Sequence, residues 1–357
     1  MEELNEENKK VDFEDYLLMK GYTKEKINQL LDAMLKLKPL SEKQMHEMNE
    51  NFKEYLTVGT VKDVTSKFLK NKNYEEIFEM QKKIKNDLEN KIIENNKKSD
   101  YEKILKIYNK TFEFLMNENK KFQITKIESS ARTREYIKEI KYLESIGIIK
   151  ISYCLKELKA PLNENYNSND YKIYFSDTWI LVNFLRENLN EKVSMDFNAY
   201  NGAIYENAVA EMLEKQGFEL YFYKNKKSTM EMNFFIENNN YLIPIETKNI
   251  VRPTISLRNL LDNSKYENIK YGIKLCNSNI SFNGLYYTFP YFLTFLLKRY
   301  LDEKNKKIGA PEGIWTPNLS VRSRILYPVE LLVHRLLILY YYTIKKQKIQ
   351  YIYIFLK

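Results

Sequence analysis

Apolar residues recur at helical spacing through the first hundred positions of the chain. The periodic positions are Tyr16, Leu17, Met19, Ile27, Leu30, Leu31 and Met34. Spacings of three and four residues place such side chains on one face of a helix. Pro39 and Gly59 interrupt the pattern, and a long polar helix, YEEIFEMQKKIKNDLENKIIENN, runs into an Asn/Lys-rich stretch near residues 95–100. Residues 1–98 are therefore predicted to form a helical subdomain with no chemistry of its own.

Residues 99–190 are predicted to form a second unit, in which helices come first and strands last. Its segments are YEKILKIYNKTFEFLM, KFQITKI, SARTREYIKEIKYLESIG, IIKISYCL and YKIYFSD. Ser129 or Ser130 can cap the third helix and Gly147 can end it. Three helices followed by a hairpin is the order of a winged helix-turn-helix.

Arg132 and Arg134 on the third predicted helix are candidates for contacts in a DNA groove. The same helix carries Glu135, Glu139 and Glu144, whose carboxylates repel phosphates. A packing or connecting role for this helix is the alternative.

Residues 196–303 combine one long amphipathic helix, closed by Gly217, with several short strands. The segments are GAIYENAVAEMLEKQG, FELYFYK, EMNFFIE, YLIPIETK, SLRNLLDNS, KYGIKLC and YFLTFLLKRYL. Helix, three strands, helix and strand is the core order of the PD-(D/E)XK nuclease-like fold. The chain as a whole is predicted to be α+β.

Seven segments, taken in order from residue 11 to 297, carry a family resemblance. They read VDFEDYLLMKG, FKEYLTVGTVKDV, ARTREYIKEIKYLESIGI, DYKIYFSDTWIL, GAIYENAVAEML, EMNFFI and PIETK. With them the chain resembles the C-terminal part of prokaryotic AAA-type ATPases that carry domain of unknown function 4143, a PD-(D/E)XK-like domain. The chain departs from that family at Thr60 and Lys62, where the family usually has glycine and proline. It also departs at Trp179, where the family has glycine.

The family places a P-loop ATPase domain ahead of these segments, and the sequence lacks its phosphate-binding loop. There is no GxxxxGK[ST], and none of the nine glycines is followed by lysine. Backbone amides and a lysine arranged to cradle a triphosphate are thus missing. We expect no ATP-binding residues and no ATP hydrolysis by this chain. It is interpreted as a remnant of such an ATPase, or as the partner of a separately encoded P-loop domain.

The resemblance also implies a nuclease-like constellation formed by Glu206, the position of Asn233, Glu246 and Lys248. In such sites carboxylates hold Mg²⁺, which activates a bound water, while a lysine orients the water or stabilises charge. Asn233 offers a neutral amide where the family has aspartate. Glu231 lies one pleat repeat away, about 6.6 Å along the strand, and reaches the same ion only through a register shift or bulge. The ion site is therefore interpreted as degraded.

Composition adds little chemistry. The net charge is +9, but much of it belongs to the last 50 residues. Only two cysteines and a polar N-terminus predict a cytoplasmic protein. The sequence contains no stretch of about 20 apolar residues, so no membrane span is predicted. Residues 308–357 resemble a peptide read antisense through a transfer-RNA gene and are predicted to be non-native.

Taken together, these patterns predict a binding or regulatory module with no cofactor. One alternative is a DNA or RNA endonuclease that uses Mg²⁺ with Glu206, Glu246 and Lys248. A weaker alternative is a winged-helix DNA-binding protein that uses Arg132 and Arg134.

Overall fold

The computed structural model of the chain describes residues 10–117, 120–189, 200–225, 230–248, 254–263, 265–266 and 268–309. Apart from its first two residues, the tail predicted to be non-native lies outside these ranges. The described residues up to Asn305 belong to one compact unit.

Five helices open the chain, as the periodicity predicts. They are α1 (Phe13–Met19), α2 (Lys24–Lys36), α3 (Glu42–Val58), α4 (Lys62–Asn71) and α5 (Tyr74–Asn95). Asp12 and Ser41 begin α1 and α3 with capping boxes, in which the side chain accepts from the N3 amide and the N3 side chain accepts in return.

The second segment contains two of the three predicted helices and the hairpin, together with one more helix; the middle element of the prediction, KFQITKI, is helical only as a 3₁₀ turn. It consists of α6 (Lys98–Met116), 3₁₀ turns at Ile124–Lys126 and Thr133–Glu135, α7 (Ile137–Ser145), β1 (Ile149–Leu155), β2 (Tyr166–Phe175) and α8 (Thr178–Leu189). The helix expected from Ser130 begins only at Ile137, so neither predicted serine caps it. The Arg132 N–H donates to the Glu135 carboxylate, and Tyr136 has φ −124° and ψ −5°, which is outside helical geometry. Gly147, with φ 71°, follows the end of α7 as predicted.

The third segment begins with a long helix and continues through six strands. It consists of α9 (Asn201–Lys215), β3 (Tyr221–Lys224), β4 (Glu231–Asn238), β5 (Tyr241–Thr247), α10 (Ile255–Leu261), β6 (Gly272–Cys276), β7 (Ser281–Phe282), β8 (Tyr286–Pro290), a 3₁₀ helix at Tyr291–Leu296 and α11 (Leu297–Gly309). The sequence patterns predict α9, α10 and the strands up to β6, but not β7 or β8. The last predicted helix, YFLTFLLKRYL, begins as a 3₁₀ helix and becomes α-helical only at Leu297.

The described strands form one mixed sheet in the order β2-β1-β3-β4-β5-β6-β8-β7. Strand β1 pairs antiparallel with β2 and parallel with β3. The hairpin predicted as a wing is therefore continuous with the sheet of the third segment. Helices and a mixed sheet confirm the α+β class.

Helices α9 and α10 lie on opposite faces of this sheet. Ile243 and Ile245 of β5 belong to the same apolar cluster as Ala208 of α9, whereas Leu242 clusters with Leu257 of α10. Side chains alternate along a strand. Odd-numbered residues of β5 therefore face α9, and even-numbered residues face α10.

The N-terminal helices are joined to the rest of the unit by close packing at Gly59. This residue has φ 87°, and a Cβ on it would overlap the indole ring of Trp179 in α8. Position 59 thus requires glycine for its backbone conformation and for space. Among the described helices, none has the length and apolar character needed to cross a bilayer.

Candidate functional site

Glu206 lies in the second turn of α9 and is buried, with 4 % of its surface exposed. Apolar residues before and after it, including Ile204, Ala208 and Met212, belong to the main core. The helix therefore carries this carboxylate into the interior, where it needs partners because an unpaired buried charge is strongly unfavourable.

Three hydrogen-bond donors and one further ammonium group surround the Glu206 carboxylate. Lys120 Nζ lies 2.5 Å and the Asn233 amide nitrogen 2.9 Å from Oε2, while the Tyr174 hydroxyl donates to Oε1 at 2.8 Å. Lys172 Nζ lies 3.9 Å from Oε1. Both carboxylate oxygens are thus engaged by groups of this chain.

These contacts decide the ionisation of Glu206. Burial by itself would raise its pKa, but Lys120 and Lys172, with the hydrogen bonds from Lys120 and Tyr174, lower it to about 2. Glu206 is therefore ionised at neutral pH and balanced by two ammonium groups.

Asn233 reaches this cluster through a β-bulge. The pairing of β3 with β4 changes register between Tyr221 and Tyr223, and Met232 and Phe235 of β4 both pack in the α10-side cluster. The extra residue allows the Asn233 side chain to point toward α9. Its amide nitrogen donates to Glu206, and its oxygen accepts from the Thr247 N–H at 3.0 Å.

Glu246 and Lys248 form a second, separate pair. Lys248 Nζ lies 3.1 Å from Glu246 Oε1. Glu246 is an even-numbered residue of β5 and is paired in register with Lys274 of β6. Gly272 is two residues from Lys274 and therefore on the same face of β6, and a Cβ added to Gly272 would meet Leu257 of α10. The strand alternation therefore places Glu246 on the α10 face, opposite Glu206 and Asn233.

The surroundings of Glu246 differ from those of Glu206. Glu246 is 2 % exposed, and its Oε2 has no hydrogen-bond partner among the described residues. Burial raises the pKa of Glu246, and Lys248, the backbone of Leu257 and Lys274 offset only part of that rise. Lys248 itself is half-exposed.

Glu231, the alternative carboxylate considered from the sequence, is also paired with lysines. It contacts Lys172 at 2.7 Å and Lys224 at 3.1 Å. Lys172 therefore lies between Glu231 and Glu206 and compensates both charges.

This donor set does not fit a magnesium ion. A hard divalent cation gains affinity from carboxylate oxygens that face it together. Glu206 and Glu231 are turned to lysines, Asn233 directs its N–H to Glu206, and Glu246 lies on the other face. Within the described ranges, no group of three or more His, Cys, Asp or Glu side chains could hold a metal ion.

The two arginines proposed for DNA contact lie in the irregular segment before α7. Arg132 and Arg134 are both exposed; Arg132 precedes the 3₁₀ turn and Arg134 lies within it, so neither belongs to a recognition helix. Their position leaves them available to an external partner but does not group them with the Glu206 cluster.

Sequence reasoning missed Lys120, Lys172 and Tyr174 as partners of Glu206. One signal was present, because Lys172 and Tyr174 are two apart in the strand YKIYF and must share a face. Lys172 is 2 % exposed, and a lysine inside an apolar strand predicts a buried acidic partner. Lys120 gave no such signal.

Comparison with known proteins adds one match. No curated protein and no solved structure matches the chain. One family model, described as domain of unknown function DUF4143, matches residues 201–291. That range contains Glu206, Asn233, Glu246 and Lys248, whereas Lys120, Lys172 and Tyr174 precede it. Over residues 201–291, the chain is thus similar to this domain of unknown function.

Proposed function

We propose that the chain is a binding or regulatory module related to the C-terminal region of AAA-type ATPases. In this proposal it carries a degraded nuclease-like site and performs no ATP hydrolysis of its own. The observation that carries the proposal is the enclosure of Glu206 by Lys120, Lys172, Tyr174 and Asn233.

A carboxylate that holds a metal must direct an unoccupied oxygen toward it. Both oxygens of Glu206 accept from this chain, and two of the partners are positively charged. An incoming divalent cation would have to displace a buried ammonium group and would be repelled by the other. This arrangement favours an internal ion pair over a metal centre.

The ion pair also connects parts of the chain that are distant in sequence. Lys120 follows α6, Lys172 and Tyr174 belong to β2, Glu206 to α9 and Asn233 to β4. Such a connection fixes the orientation of α9 against the hairpin. A rigid scaffold of this kind suits recognition of a partner.

The proposed partner is a separately encoded P-loop ATPase domain. The seven segments of resemblance support this choice, because the family places a P-loop domain ahead of them. Mixing the purified chain with a P-loop ATPase encoded beside its gene should give a complex on size exclusion and change ATP turnover. An ATPase that neither binds the chain nor changes its rate would count against this partner.

A magnesium-dependent endonuclease is the second candidate, and Glu246 is the observation that favours it. Its Oε2 has no partner among the described residues, and Lys248 lies beside it. A carboxylate and a lysine are the side chains that a magnesium-dependent nuclease uses, although Glu206 and Asn233 lie on the opposite face of the sheet.

Calorimetric titration with MgCl₂ and MnCl₂, together with a plasmid-nicking assay, separates the two candidates. The binding module should show neither stoichiometric metal binding nor nicking. Nicking that needs Mg²⁺ and disappears in Glu246→Ala and Lys248→Ala would establish the endonuclease. Asn233→Asp is a useful third variant, and the binding module predicts no nicking from it either.

A further inference from the structure

A groove of about 410 Å³ is lined by neither Glu206 nor Glu246. Its walls come from four parts of the chain: the end of α7, strand β1, the loop that enters β2, and the segment between α9 and β3. Phe218 and Leu220 provide apolar surface in it. The proposed function so far makes no use of this groove.

Three tyrosines form one wall of the groove. The ring centroids of Tyr153 and Tyr166 are 4.7 Å apart, and those of Tyr166 and Tyr221 are 5.8 Å apart. The rings are tilted by 35° and 42° rather than stacked flat. Aromatic faces attract cations because of their negative quadrupole.

The charged side chains of the groove also favour a cation. Of the charged side chains that line it, Glu144, Glu214 and Glu219 are carboxylates and only Lys150 is an ammonium. Lys150 is paired with Glu214 at 2.5 Å and Lys141 with Glu144 at 2.7 Å, so among the described residues Glu219 is the lining carboxylate that no ion pair compensates.

One ammonium group of the chain already uses part of this surface. Lys141 Nζ lies 5.5 Å from the ring centroid of Tyr153, donates to the Tyr153 hydroxyl oxygen at 2.9 Å and pairs with Glu144 at 2.7 Å. The Lys141 side chain is half-exposed. It shows that the tyrosine and carboxylate at this end can hold a cation together.

We propose that the groove binds an arginine side chain from a basic segment of a partner protein. This adds a partner chemistry to the binding module proposed above. A guanidinium is planar, stacks on tyrosine faces and donates to carboxylates in a fixed fork, whereas a lysine ammonium is a point charge. The tyrosine wall beside Glu219 offers both kinds of contact. Nucleic acid is disfavoured because its phosphates would be repelled by Glu219 and would offer that carboxylate no cation.

The probe is the peptide acetyl-Gly-Arg-Gly-amide, titrated into the full chain and followed by saturation-transfer difference NMR on the arginine side chain. Acetyl-Gly-Gln-Gly-amide and acetyl-Gly-Lys-Gly-amide are the comparison peptides. The arginine peptide should bind in the millimolar range, at least about fivefold more tightly than the glutamine peptide and more tightly than the lysine peptide.

Two variants in the groove should weaken this binding about fivefold: Tyr166→Ala, and Glu219→Gln, which keeps an acceptor for the Tyr221 hydroxyl. Matched controls are Tyr241→Ala, an exposed tyrosine on β5, and Glu157→Gln, an exposed carboxylate paired with Lys159. Both controls should bind the arginine peptide as the wild type does.

Lys141→Met provides a test in the opposite direction. Removing the internal ammonium frees Tyr153 and Glu144, so the arginine peptide should bind more tightly by about twofold or more. A purely structural role of the groove residues predicts no such gain.

Equal binding of the arginine and glutamine peptides would overturn the inference, as would unchanged binding in both Tyr166→Ala and Glu219→Gln. If Tyr166→Ala fails to fold, Glu219→Gln and Lys141→Met still decide. Preference for the lysine peptide would contradict the assignment to arginine. None of these results changes the outcome expected from the magnesium titration, so the two proposals fail independently.

Discussion

The side-chain amide of Asn233 donates to Glu206 at 2.9 Å while its oxygen accepts from the backbone of β5. Asn233→Asp would keep the acceptor, remove the donor and place a second carboxylate beside Glu206. We expect the free energy of unfolding at pH 7 to fall by about 1–3 kcal/mol, because a buried acceptor loses its partner and like charges face each other.

Urea unfolding of the wild type and Asn233→Asp measures this change, and the difference should shrink as pH falls toward 4, where one carboxylate takes up a proton. Asn169→Asp, at an exposed position in β2, is the control and should change stability little. Wild-type stability in Asn233→Asp would mean that the amide contributes nothing to the cluster.

Lys120 makes the shortest ionic contact to Glu206, and both side chains are mostly buried. Lys120→Met should lower the free energy of unfolding by about 3 kcal/mol, because it leaves a buried carboxylate short of a partner. Lys110→Met is the matched control, since Lys110 pairs with Glu113 on the surface of α6 and should lose less than about 0.5 kcal/mol. Equal losses in the two variants would contradict the importance assigned to burial.

The pH dependence of stability should identify Glu206. Burial opposes its ionisation, but the lysines hold its folded-state pKa at about 2, below the usual 4.5. The resulting stabilisation is present above pH 4.5 and is lost as pH falls through 4 toward 2. Acid unfolding of the wild type should therefore show a loss across this window relative to Glu206→Gln. Parallel curves for the two proteins would rule out a lowered pKa.

Gly59 and Trp179 predict a steric effect. Gly59→Ala combines a positive φ with overlap of the indole ring and should lower the free energy of unfolding by about 3 kcal/mol. Gly21→Ala is the control, because Gly21 has φ 92° but open space around it, and should lose only about 1 kcal/mol. A double-mutant cycle with Trp179→Ala should recover part of the Gly59→Ala loss. If it recovers none, the ring is not the obstacle.

Lys304 predicts stability that rises with pH. Its Nζ has no hydrogen-bond partner among the described residues and lies 3.8 Å and 3.9 Å from the ring centroids of Tyr271 and Tyr287. Burial lowers its pKa to about 7, whereas the unfolded chain has an ordinary lysine pKa near ~10.4. Between these values the unfolded state binds the extra proton, so the wild type should gain stability from pH 7 to 10.

Lys304→Met has no amine to titrate at position 304 and is the reference for the pH dependence of the wild type. Its stability should exceed that of the wild type most clearly at pH 7 and below, and the difference should narrow toward pH 10. Chemical denaturation of both proteins at several pH values measures it. A constant difference would show that Lys304 keeps its proton in the folded protein.

The sequence predicts the long helices and most strands because their apolar spacing is local. It also predicts that Glu246 and Lys248 share a face, since they are two apart on one strand. Strand alternation alone does not predict that Asn233 joins Glu206, because a bulge in β4 shifts the alternation there; only the family resemblance places the two residues at one site. Nor does the sequence predict Lys120, whose contact with Glu206 depends on a tertiary path across 86 residues.

The parallel pairing of β1 with β3 has a consequence for the boundaries of the folding unit. A fragment limited to residues 201–291 would leave the backbone groups of β3 unpaired on one side, forming an exposed sheet edge that can recruit other chains. It would also carry a buried carboxylate at Glu206 without either of its ammonium partners. We therefore expect the fragment 201–291 to aggregate. A longer fragment that extends from before α1 through residue 291, and so includes both strands of the hairpin, should remain monomeric.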